Sequence, residues 1–276
     1  LNLWGNAREG SAVGSDLQSR VTPSSQPERD SAEIVLESVS FSYPPTQRTQ
    51  QRVQALAEVT LQVRHGELLA VVGPSGCGKS TLLELLCGLK QPDRGSLLCP
   101  PAVLMPQRDL LLPWLSALDN AALALRIAGL SRARARAQAH TLFVELGLDG
   151  FQGVRPHELS GGMRQRVAFL RTLLAGKPVL CLDEPFGALD AITRGEMQRW
   201  LAGTLARERP RSVVLITHDV EEAVLLADRI VVLSPRPGRV LATLAVAPAR
   251  PRERTDEAVL ALREQILRML SVGAQT

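Results

Sequence analysis

Nine consecutive residues constrain this chain more than any others: Gly73, Pro74, Ser75, Gly76, Cys77, Gly78, Lys79, Ser80 and Thr81. They satisfy the pattern G-x-x-x-x-G-K-[ST] at every fixed position. The run before them, Glu67 to Val72, is short and almost wholly apolar, as a buried strand is. The run after them, Leu82 to Leu86, continues as a helix. Strand, glycine loop and helix in that order form a cradle for a phosphate chain. Glycines let successive backbone N–H groups point inward, and the positive end of the new helix adds its dipole. In such a cradle Lys79 reaches the terminal phosphates and the Ser80 hydroxyl ligates Mg²⁺.

The rest of the chain must supply a sheet around that loop. With 276 residues, 45% of them hydrophobic, there is enough material for one large or two small domains with a real core. No apolar run approaches the roughly 18 residues of a membrane-spanning helix. The formal charge of +4 is modest and the arginines are spread along the chain or sit opposite glutamates, which is weak evidence for nucleic acid and leaves room for an anionic ligand or an acidic partner. Cys77, Cys87, Cys99 and Cys181 show no C-x-x-C spacing and fit a reducing compartment better than a disulfide framework or a zinc site.

In chain order, residues 1–30 read as a disordered leader, rich in Ser, Gly, Pro, Gln and charge and lacking the pattern of a signal peptide. Ile34 to Tyr43 alternates as a strand, stopped by Pro44 and Pro45. A second strand is expected over Ala57 to Val63, and another over Ala102 to Gln107. Residues 109–158 carry no strand signal. Ser116 and Asp119 open a helix through about Ile127, and Ser131 to Leu146 forms another, so this stretch is an inserted helical subdomain. Alternation then returns: strands at Val179 to Glu184, Ser212 to His218, Ile230 to Leu233 and Val240 to Val246, with helices at Ile192 to Glu208 and from Asp219, where Glu222 takes the capping-box position, to Ala227. A last helix runs from about Asp256 to Leu270 and packs on the core. The expected fold class is α/β, a mixed and mainly parallel sheet with helices on both faces, an N-terminal antiparallel β part and the helical insertion. Its parts are a first core segment over 31–108, the subdomain, a second core segment over 166–250 and a C-terminal helix over 251–276.

Two further stretches carry chemistry. Four apolar residues end in Asp183 and Glu184, which places two carboxylates at the tip of a buried strand beside the phosphate loop. Asp183 can hold Mg²⁺ through water, and Glu184 can orient and polarise a water for in-line attack on the terminal phosphate. Leu159 to Arg166 puts Ser160, Gly161 and Gly162 at the start of a helix, a second anion-binding helix start in one chain. Tyr43, the lone tyrosine, is either a packing residue or a platform for a nucleobase.

With Leu159 to Gln165 in place, the chain resembles the ATP-binding subunit of an ABC transporter, over about residues 33–245. The resemblance implies the P-loop ABC ATPase fold and ATP hydrolysis with ATP and Mg²⁺ as ligands. It implies that Tyr43 stacks on adenine and that Gln107 touches both Mg²⁺ and the attacking water. Asp183 is then the metal-linked aspartate and Glu184 the catalytic glutamate. Ala188 to Asp190 is the loop that crosses to a second subunit, and His218, which by itself could be structural or merely exposed, contacts the terminal phosphate. Met163 departs from the glutamine common at its position, and every catalytic motif is present. The resemblance further implies a head-to-tail dimer, in which Ser160 and Gly162 of one copy face ATP held by the other.

Residues Gln107 to Asn120 contain Leu112, Pro113 and Trp114, an element similar to that of the nitrate, sulfonate and taurine importer subfamily. Phe169 to Asp190 is nearer its thiamine-precursor pyrimidine branch. The implied partners are a second copy, integral membrane permease subunits, for which Trp114 and Leu115 are exposed apolar candidates unless they serve ordinary subdomain packing, and indirectly a solute-binding protein, with no nucleic acid. The implied location is peripheral, on the cytoplasmic face of the inner membrane. An exporter subunit, or a soluble ABC ATPase, is the alternative reading.

Overall fold

The computed structural model describes residues 32–45, 51–207 and 211–273; the leader expected over residues 1–30 lies outside them. Two sheets carry the fold. Strands β1 (Ala32–Tyr43), β2 (Val53–Arg64) and β4 (Arg94–Leu98) form an antiparallel sheet in the order β2-β1-β4. Strands β5 (Ala102–Met105), β6 (Val179–Asp183), β7 (Ser212–Ile216), β3 (Leu68–Val72), β8 (Arg229–Leu233) and β9 (Val240–Ala245) form the second, in that order. Its pairs are parallel except the last, where β9 runs antiparallel to β8.

Strands β3, β6 and β7 are buried at every residue, because both faces of the sheet are covered. Their side chains sort by the two-residue period of a strand. Ala70, Val72, Leu180, Leu182, Val213 and Leu215 join one core. Leu69, Val71, Val179, Cys181, Val214 and Ile216 join the other. The second core is closed by helix α1 (Lys79–Leu86), through Leu82, Leu83, Leu85 and Leu86, and by the antiparallel sheet, through Ile34, Leu36, Leu56 and Val63. The first is closed by α5 (Gly161–Leu173), α7 (Val220–Leu226) and α8 (Glu257–Gly273), the last inserting Val259 and Ile266. Helix α6 (Ala191–Arg207) adds Met197 and Leu201 to the same core.

The inserted segment contains α2 (Ala117–Ala121), α3 (Leu123–Ile127) and α4 (Arg132–Glu145), whose Leu118, Ala121, Leu125, Ala139 and Phe143 extend the first core. Asp119 fastens it. This carboxylate is buried and accepts from Arg132 at 2.7 and 3.2 Å, from the Ser116 hydroxyl at 2.9 Å, and lies 3.0 Å from Arg136. The Arg132 guanidinium is the main cause holding its pKa well below the usual carboxylate range.

Four expectations change. Strand β2 begins at Val53, because it pairs with β1 as far as Tyr43. Strand β4 was not expected: it is an exposed edge without alternation, and only its pairing with β1, from Val35 to Ser40, defines it. The helix expected from Ser116 to Ile127 divides at Ala122 into α2 and α3. Asp219 does cap α7, accepting from the N–H groups of Glu221 and Glu222, yet Glu222 forms no capping box and turns into the core, where it is 4% exposed.

Candidate functional site

The phosphate loop leaves β3 and enters α1 through Gly78, which has φ 106°. A Cβ there would stand 2.6 Å from the Ala55 carbonyl oxygen, so both conformation and space demand glycine. Lys79 is buried, and its ammonium donates to the carbonyls of Gly73 at 2.8 Å and Pro74 at 2.9 Å. A charge in such a place needs these partners. They hold it at the mouth of the loop.

Above the loop lies a cleft of about 400 Å³, lined by Tyr43, Ser75, Gly76, Gly78, Lys79, Ser80, Thr81, Gln107, Asp183 and Glu184, together with Ala55 and Arg236. Tyr43 reaches it from the end of β1, its hydroxyl 2.9 Å from Thr81 Oγ1. The Lys90 ammonium stands 4.6 Å from the centre of its ring, and Phe41 packs edge-on at 5.2 Å. Cys77, within the loop, is buried.

Asp183, the last residue of β6, is bonded by the Ser80 side chain. Burial pushes its pKa up, the Ser80 hydrogen bond opposes that, and the Glu184 charge adds to the rise. Two oxygen ligands, one of them a buried carboxylate, suit a hard divalent cation such as Mg²⁺.

Glu184 has φ 48°, a left-handed conformation that is rare outside glycine, asparagine and aspartate. It is held there by its N–H, which donates to the Ile216 carbonyl at 2.9 Å. Its Oε2 accepts from Gln107 Nε2 at 2.9 Å, and its Oε1 lies 3.2 Å from His218 Nδ1. Three residues from the ends of three strands thus meet at one carboxylate. Strain of this kind belongs to sites where a side chain must point in one direction.

Ser160 caps α5, accepting from the Met163 N–H at 3.2 Å. Ser160, Gly161 and Gly162 do not line the cleft of their own copy, and neither does Asp190, which caps α6 by accepting from Ile192 and Thr193 at 3.1 Å each. Gly162 instead faces the Leu189 side chain, which a Cβ would meet at 3.2 Å.

The ABC transporter family model matches residues 56–187, from β2 to just past Glu184. The aliphatic sulfonates import ATP-binding protein SsuB 1 of Rhodococcus jostii is 45% identical over 219 residues, covering 77% of this chain and 85% of that protein. The taurine import ATP-binding protein TauB of Chromobacterium violaceum is 42% identical, covering 86% and 95%. The chain belongs to the ABC transporter family. The formylaminopyrimidine import ATP-binding protein ThiZ of Halalkalibacterium halodurans is a further relative at 39% identity, covering 81% and 89%. Among solved structures, the post-hydrolysis dimer of the ATP-binding cassette MJ0796, bound to ADP and Pi, superposes with a TM-score of 0.71 at 27% identity. The match covers 78% of this chain and all of that one.

One residue lining this cleft is not signalled by any motif. Arg236 lies on the loop between β8 and β9 and reaches the cleft because that loop is hydrogen-bonded to β2 and packed against the phosphate loop. Gly238 donates to the Ala55 carbonyl at 2.9 Å and accepts from Ala57 at 3.0 Å. It passes so near Cys77 that a Cβ would stand 2.2 Å from the Cys77 carbonyl oxygen. The available signal is the Pro-Gly pair at Pro237 and Gly238, which marks a tight turn after a buried strand.

Proposed function

We propose that the chain hydrolyses ATP as the motor subunit of an ABC importer, and the convergence of Gln107 and His218 on Glu184 carries this reading. The residues act as follows. Backbone N–H groups of the loop from Gly73 to Gly78 and the Lys79 ammonium bind the phosphates, and Tyr43, with Arg236 beside it, receives the base and ribose side of the nucleotide. Ser80 and Asp183 would hold Mg²⁺, with Gln107 able to join them; bound there, the ion draws charge from the phosphate oxygens. Glu184 orients a water and takes up its developing positive charge, Gln107 fixes the direction of the carboxylate, and His218 contacts the terminal phosphate.

In one copy the helix start at Ser160 to Gly162 has no phosphate to meet. A second copy arranged head to tail brings it to the other copy's cleft, giving two composite sites by a two-fold axis. The dimer named in the MJ0796 structure supports this assembly. ATP then closes the pair, hydrolysis reopens it, and the segment around Leu110 and Trp114, which are 60% and 67% exposed, carries the motion to permease subunits. No helix among the described residues is long and apolar enough to cross a membrane, which suits a peripheral subunit at the cytoplasmic face. The names of the relatives favour uptake of a sulfonate, taurine or a thiamine-precursor pyrimidine, delivered by a solute-binding protein.

The test is sizing of the Glu184→Gln variant with and without ATP and Mg²⁺, beside phosphate release by the natural sequence. A dimer that appears only with ATP, together with Glu184-dependent turnover, is expected. A monomer under both conditions removes the composite site. Recovery of a multi-spanning permease with the tagged subunit from native membranes, and hydrolysis stimulated by loaded binding protein, would establish import.

A further inference from the structure

Among the described residues, one buried donor and one buried acceptor without partners lie across the same pair of helices. The donor is Arg194 Nε, in the first turn of α6; the acceptor is Glu222 Oε1, in the first turn of α7. Glu222 lies within electrostatic range of the Arg194 guanidinium, yet no hydrogen bond joins the two orphan atoms. Native proteins leave few buried polar groups unpaired, and an arrangement that leaves two complementary ones unmade favours any motion that joins them.

The rest of Arg194 is tied to the 188–190 loop and to the residue after His218. Its Nη2 donates to the Leu189 carbonyl at 3.1 Å, and its backbone N–H donates to the Asp190 carbonyl at 2.8 Å. Its Nη1 lies 3.7 Å from Asp219 Oδ2. Asp219 follows His218 directly and caps α7 with its other oxygen. Glu222 is the buried foot of that cap. The side chains of Gln198, from α6, and Thr217, just before His218, stand against its carboxyl, and Asp219 is the nearest negative charge. One guanidinium thus spans from the 188–190 loop to the residue beside His218, and one oxygen of the carboxyl beneath it is unpaired.

We propose that Arg194 and Glu222 are positioning residues that couple the 188–190 loop to His218. When the loop engages a second copy, Arg194 moves with Leu189, its Nε–H closes on Glu222 Oε1, and α7 is fixed so that the imidazole, 3.2 Å from Glu184 in the open arrangement, is held toward the terminal phosphate. The inference rests on the dimeric reading above. It adds the physical element that a coupling argument requires, a contact with two arrangements whose balance both loops bias. Burial raises the Glu222 pKa to about 8, which suits an open arrangement with a neutral carboxyl; closure on a guanidinium favours the carboxylate, its proton passing to solvent.

The experiment is a double-mutant cycle on the full chain with Arg194→Ala, Glu222→Gln and the pair, read as kcat and ATP KM, with thermal melting as the control for folding. Each single variant is expected to lower kcat about tenfold, with KM changed less than about twofold, and the double variant to be no slower than the slower single. Arg194→Lys keeps the charge but lacks the Nε–H, and it is expected not to restore kcat. Effects on kcat that multiply in the double variant would make the two residues independent and overturn the coupling, as would wild-type kcat in either single variant. In those cases Glu184→Gln still dimerises with ATP and the motor reading stands. If the natural sequence itself neither hydrolyses ATP nor dimerises as Glu184→Gln, both readings fall together.

Discussion

Gln107 Nε2 donates to Glu184 Oε2 across 2.9 Å, although 77 residues of chain separate them. The two residues belong to neighbouring parallel strands, Gln107 two positions past the end of β5 and Glu184 one past the end of β6. Register alone therefore brings the amide to the carboxylate. His218 reaches the same carboxylate from the end of β7, the next strand in the sheet.

Glu184→Gln keeps the shape of the side chain and removes the charge that accepts a proton from water. Its kcat for ATP hydrolysis is expected to fall by about 10²–10⁴-fold, with nucleotide affinity changed less than about threefold. Phosphate release and equilibrium binding of a fluorescent nucleotide measure the two separately. Undiminished turnover would remove Glu184 from its role.

Chelation of divalent metal with EDTA should abolish phosphate release, and added Mg²⁺ should restore it. Asp183→Asn should need several-fold more Mg²⁺ for half-maximal rate, because the buried carboxylate beside Ser80 is lost. The titration of rate against free Mg²⁺ decides this; an unchanged curve would place the ion elsewhere.

Arg236→Ala should raise the KM for ATP by roughly 3- to 5-fold without changing kcat, the scale of one exposed charged contact. Arg236→Lys should recover part of it. A shift in kcat with no shift in KM would mean that the residue acts on the chemical step and not on binding.

Gly78→Ala tests the loop itself. With φ at 106° and the Ala55 oxygen 2.6 Å from the added carbon, the substitution should cost more than about 2 kcal/mol of stability. Urea unfolding measures it, and nucleotide binding should weaken in parallel as α1 shifts.

Stability should fall with rising pH through Glu222. Its pKa is raised by burial from 4.5 to about 8. Between those values the folded chain holds a proton that the unfolded chain has lost, so this group's contribution is fully present below pH 4.5. It declines by about 1.4 kcal/mol per pH unit until about pH 8. Urea unfolding at pH 5, 6, 7 and 8 should show that decline, and Glu222→Gln should flatten it. Equal slopes in the two proteins would mean that the carboxyl is already charged in the fold.

Much of the fold and of the site is visible in the sequence because it depends on short-range order. The phosphate loop needs glycines at fixed offsets, and a strand covered on both faces needs an unbroken apolar run, as at Val179 to Leu182 and Val213 to Ile216. Family resemblance added the roles of Tyr43, Gln107 and His218, which as isolated residues have ordinary structural explanations. Strand β4, Arg236 and the Arg194–Glu222 pair were decided only by tertiary structure. An edge strand such as β4 exists through its partner, and its own residues are largely exposed. Arg236 reaches the nucleotide cleft because Gly238 is clamped between Ala55 and Cys77. Glu222 reads as the last residue of a helix cap, yet α6 closes over it and turns a capping residue into a buried carboxyl. Local pattern records what a residue's own backbone requires; which distant surface comes to lie against it is a property of packing, and it appears only once the whole chain is folded.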